Sequence, residues 1–105
     1  MSKRIVFSAV FILALIVAGQ AFAHTPLCSC YETDGEITCE GGFSDGASAA
    51  GVGIRVTGPD DKVIVEGKMD EFSEFSFEKP SGPYKVFFDA GPGHVVEING
   101  QDIAE

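Results

Sequence analysis

The sequence predicts an all-β protein, a small antiparallel β-sandwich that follows a cleaved export signal. Three observations carry that expectation. Apolar and polar residues alternate at period two in Val52-Gly53-Ile54-Arg55-Val56 and in Glu74-Phe75-Ser76-Phe77-Glu78, the pattern of half-buried strands. Turn residues punctuate the chain at short intervals, at Asp34-Gly35, Gly58-Pro59-Asp60-Asp61, Pro80-Ser81-Gly82-Pro83 and Gly91-Pro92-Gly93. No stretch after residue 23 has a helical period, and about seven short strands at this spacing suit a sandwich.

Residues 1–23 read as a signal peptide. Lys3 and Arg4 precede an apolar run from Ile5 to Ala18, and Ala21-Phe22-Ala23 supplies small residues at a peptidase site. The run is short for a bilayer span. Cleavage after Ala23 would leave residues 24–105 as one domain, in which 24–50 form a cysteine-containing hairpin with a Gly-rich loop and 51–105 form the sandwich core. The destination is the periplasm or the exterior. Removing Lys3 and Arg4 leaves five basic against sixteen acidic residues, a formal net charge of −11. Such a field repels nucleic acid and anionic membrane and attracts cations. Nucleic acid is therefore excluded as a partner.

The expected mature chain starts His24-Thr25-Pro26-Leu27-Cys28-Ser29-Cys30. Asp34-Gly35 between Tyr31-Glu32-Thr33 and Glu36-Ile37-Thr38 is the strongest short hairpin signal present. Counting outward from a two-residue turn, Cys30 faces Cys39 at a non-hydrogen-bonded position, where backbones approach closely enough for a disulfide. A Cys28–Cys39 pair would be diagonal and a Cys28–Cys30 pair a strained short loop. Closing the ten-residue loop contributes about 2–3 kcal/mol, and Cys28 is left as an odd thiol: metal ligand, redox group or intermolecular partner.

Past the Gly-rich loop of residues 41–51, strands are expected around Val52 to Val56, over Lys62 to Gly67 with Val63, Ile64 and Val65 buried, and around Phe75 to Phe77. Phe72, Phe75, Phe77, Phe87 and Phe88 are expected to form the core. A last hairpin joins Tyr84-Lys85-Val86-Phe87-Phe88-Asp89 to Val95-Val96-Glu97-Ile98. Between them, Pro92 and Gly93 are suited to the two central positions of a type II turn. That places His94 at the mouth of the hairpin with Asp89 about opposite. Asn99-Gly100 then turns into a short final strand over 101–103.

The run from Gly51 to Gly91, GVGIRVTGPDDKVIVEGKMDEFSEFSFEKPSGPYKVFFDAG, resembles the transthyretin-like or carboxypeptidase-regulatory type of β-sandwich. Asp89-Ala90-Gly91-Pro92-Gly93-His94, followed by a strand, resembles the periplasmic accessory components of bacterial nickel and cobalt uptake systems, small exported or membrane-tethered domains that begin with a histidine after the signal peptide. The resemblance implies a metal-binding protein that captures or presents nickel or cobalt, with copper also fitting, and a membrane transporter as partner.

The residues themselves allow that chemistry. A terminal His24 offers an α-amine and an imidazole as a bidentate chelate that suits nickel or copper. Pro26 has no amide N–H, which works against an amide-nitrogen site, so further ligands must come from elsewhere, with His94 and Cys28 the obvious donors. Asp89 is the expected hydrogen-bond partner that orients His94. The plain alternatives are an accidental histidine at the cleavage point and a turn-end histidine bonded to Asp89. Catalysis finds little support, since no serine or Cys/His pair stands in a nucleophile motif. The competing function is a non-catalytic β-sandwich module that binds a protein or glycan.

Overall fold

A computed structural model describes residues 24–105; the expected signal peptide lies outside the described residues. Seven strands run β1 Pro26–Thr33, β2 Glu36–Phe43, β3 Gly53–Thr57, β4 Val63–Lys68, β5 Glu74–Glu78, β6 Lys85–Asp89 and β7 Val95–Asn99. They form two antiparallel sheets, ordered β1-β2-β5 and β4-β3-β6-β7, and no α-helix occurs among the described residues. Each sheet contributes one face to a shared core. Ile37, Cys39 and Phe77 come from the three-stranded sheet, and Ile54, Val56, Val86 and Phe88 from the four-stranded one. Edges meet as well, β1 beside β7 and β4 beside β5.

The first hairpin forms as its turn chemistry requires. Asp34 and Gly35 both take positive φ, 50° and 83°, which the mirror-image two-residue turn demands. The register therefore runs Thr33 to Glu36 out to Pro26 to Phe43 and pairs Cys30 with Cys39. These two form a disulfide, with Cα atoms 4.0 Å apart. β2 then pairs with β5, Ile37 opposite Phe77, so the hairpin is built into the sandwich. Gly41 of β2 is fixed by packing, since a Cβ there would lie 2.6 Å from the Phe88 ring. Only a glycine lets that ring close over the strand.

Three expectations about burial are corrected. Val63 and Ile64 are 48% exposed each, because they open β4, an edge strand covered on one side only by β3. A register shift between Val56 and Thr57 disturbs the ladder at the same place. Phe72 is 74% exposed; it sits in the turn whose backbone Asp70 ties together by accepting from the amides of Phe72 and Glu74. Phe87 alternates with the buried Val86 and Phe88 and so faces outward, with the Arg55 guanidinium 4.5 Å above its ring. In place of a strand over 101–103 there is a short 3-10 turn, Gly100–Asp102, capped by the Asn99 side chain. The chain then returns to β1, where Glu32 N–H donates to Ala104 O at 2.9 Å.

Candidate metal centre

Both histidines stand at one end of the sandwich. His24 lies two residues before the start of β1, and His94 immediately precedes that of β7. The same end holds the last residues of β2 and β6, where Phe43 packs against Phe88 with ring centroids 6.3 Å apart.

His24 is held by the far end of the hairpin. Its ring stacks on Phe43, centroids 4.1 Å apart and planes inclined by 12°. Its Nδ1 lies 2.9 Å from Asp45 Oδ2. That contact, followed by the Ala47 amide on Oδ1, holds the Asp45 carboxyl below its ordinary range. The carboxylate thus accepts, the proton sits on Nδ1, and Nε2 is free. The backbone beside it is fixed in both directions. Thr25 N–H donates to Ser44 Oγ at 2.9 Å, and Ser44 N–H donates to Thr25 O at 2.9 Å. The segment of residues 24–25 is thus tied to residues 43–45 at four points.

The turn before β7 has the expected geometry. His94 N–H donates to Gly91 O at 2.8 Å, and Gly93 has φ 77°, as the second central position of a type II turn requires. The side chains differ from expectation. Asp89 is opposite Val95, one residue past His94. Its Oδ1 accepts from Gly91 N–H at 3.0 Å, and its Oδ2 lies 3.4 Å from Arg55. The Asp89–His94 hydrogen bond is therefore replaced by a local one. His94 Nδ1 lies 3.1 Å from Pro92 O. A carbonyl can only accept, so the proton is on Nδ1 and Nε2 faces outward. The backbone does what the carboxylate was expected to do.

Cys28 is on the inward row of β1, half-buried against the core beside Cys30. Burial pushes its thiol up to about 11. A neutral inward thiol is a poor donor, because the metal ligand is the thiolate. No group of three or more His, Cys, Asp or Glu side chains is gathered for a metal among the described residues. Side chains alone thus supply pairs, and any larger donor set must draw on a ligand other than these side chains.

Asp45 and Phe43 were not among the residues singled out from the sequence. They are distant from His24 in the chain, 21 positions in the case of Asp45, but the hairpin register carries them there. Continuing the Cys30–Cys39 count outward brings 25 opposite 44 and 24 opposite 45. No family model matches the chain, and no curated protein or solved structure matches it significantly.

Proposed function

We propose that this is an exported metal-binding protein, periplasmic or secreted, that binds or presents nickel or cobalt in connection with uptake by a membrane transporter. One observation carries the proposal. The residue that cleavage after Ala23 would turn into the amino terminus is anchored by Phe43, Ser44 and Asp45, and it shares an end of the fold with His94. A mere leftover of processing needs no such anchoring. The Cys30–Cys39 disulfide agrees with an oxidising compartment. Among the described residues no helix is long and apolar enough to cross a membrane, and the acidic surface favours cations.

The test is calorimetric titration of the protein starting at His24 with Ni(II), Co(II) and Cu(II). Stoichiometric binding is expected, with most of the affinity lost in His24→Ala and about tenfold lost in His94→Ala. One glycine added before His24 displaces the chelating amine and acts like His24→Ala. Absence of stoichiometric binding overturns the proposal in favour of a non-catalytic module for a protein or glycan partner.

A further inference from the structure

We propose that Asp45 is a metal ligand, the third donor of a chelate formed by the α-amine of His24, His24 Nδ1 and Asp45 Oδ2. The inference rests on the metal-binding function proposed for His24 and assigns the site's missing donor.

Three features converge on it. A terminal histidine can close a chelate ring through its own amine only with Nδ1, because Nε2 lies on the far side of the imidazole. Nδ1 is the atom that faces Asp45. Its 2.9 Å separation from Oδ2 also matches the edge of a square or octahedron with bonds of about 2.1 Å, roughly 3.0 Å. The two donors already stand at the separation at which one ion would hold them.

The backbone removes the usual alternative. In an amide-nitrogen site the next donors are the deprotonated amides of the second and third residues. Here Thr25 N–H is engaged by Ser44 Oγ, and residue 26 is proline with no N–H to lose. A third donor must come from a side chain. Asp45 is oriented for this, since Ala47 N–H holds Oδ1 at 3.0 Å and leaves Oδ2 toward His24. The Phe43 ring fixes the imidazole plane from one side.

The proton balance is simple. On binding, the imidazole proton moves from Nδ1 to Nε2, the ammonium releases one proton, and three bonds to metal form: two from nitrogen and one from the carboxylate. No electron is transferred.

The decisive variant is Asp45→Asn in the protein beginning at His24, because its amide oxygen still accepts from Ala47 N–H and the turn is kept. Asp45→Ala, checked for fold by circular dichroism, is the second variant. Titration with Cu(II) and Co(II) is read by calorimetry, by the ligand-field bands and by electron paramagnetic resonance. The expected result is a loss of about 10- to 100-fold in affinity, with a changed ligand-field spectrum and hyperfine pattern. Weaker binding with an unchanged spectrum would mean that Asp45 only steers the ring, which overturns its role as ligand. Unchanged affinity and spectrum, with binding still lost in His24→Ala, would overturn the inference and leave the metal function standing. A wild-type protein that binds no metal removes both.

Discussion

Cys28 lies two residues from the disulfide, on the same inward row of β1, yet remains a thiol. Register explains this: its cross-strand neighbour is Gly41, while Cys39 is paired with Cys30. Burial gives the thiol a visible titration. The folded state holds the Cys28 proton until about pH 11, whereas the ordinary thiol value is 9.0. Between those values the unfolded chain releases a proton that the folded chain keeps. Stability from this group is therefore complete below pH 9 and declines as pH rises toward 11. Cys28→Ser should flatten that part of the stability curve, measured by urea unfolding from pH 8 to 10.5 and compared with wild type. Equal slopes would mean that the thiol is solvated. At neutral pH the same burial predicts slow alkylation of native Cys28.

At the scale of the strand, alternation decides which aromatic rings matter. Phe88 is fully buried and covers Gly41, whereas Phe72 is largely exposed in a turn. Phe88→Ala should cost about 3–5 kcal/mol by cavity formation, and Phe72→Ser about 0.5 kcal/mol or less, both by urea unfolding. Comparable losses would place Phe72 against the core. These elements also show what can be read from sequence. Asp34-Gly35 and Pro92-Gly93 declare their turns because positive φ restricts the residues tolerated there. The Cys30–Cys39 pair follows from counting. The run Val63-Ile64-Val65 misleads because composition marks it as apolar but says nothing of its place at a sheet edge. Phe72 misleads because hydrophobicity is no guarantee of burial. At the candidate site, His24 and His94 stand out by rarity and position. Asp45 looks like one more acidic loop residue until the hairpin is counted to its open end, and the Arg55–Asp89 contact depends on which strand lies beside β3.

In the whole molecule, β1 and β2 share a sheet with β5, so the segment carrying His24, Phe43 and Asp45 is anchored by strand pairing and core packing. The disulfide takes on a further meaning in this setting. It is six residues from His24, about 20 Å along a strand, and touches none of the proposed donors. Yet a slip of one residue between β1 and β2 would reverse which way every side chain of one strand points. The Cys30–Cys39 bond acts as a setscrew: it clamps the two rails so that their tips stay in alignment. Cys30→Ser with Cys39→Ser should therefore lower metal affinity about tenfold even where circular dichroism shows a folded protein, beyond the 2–3 kcal/mol of stability lost. Unchanged affinity in that folded variant would mean that β5 and the core hold the alignment unaided. On the proposed function, a cell that kept this protein reduced would produce a folded domain with weakened metal binding, and oxidation of the cysteine pair would set the affinity of the proposed site.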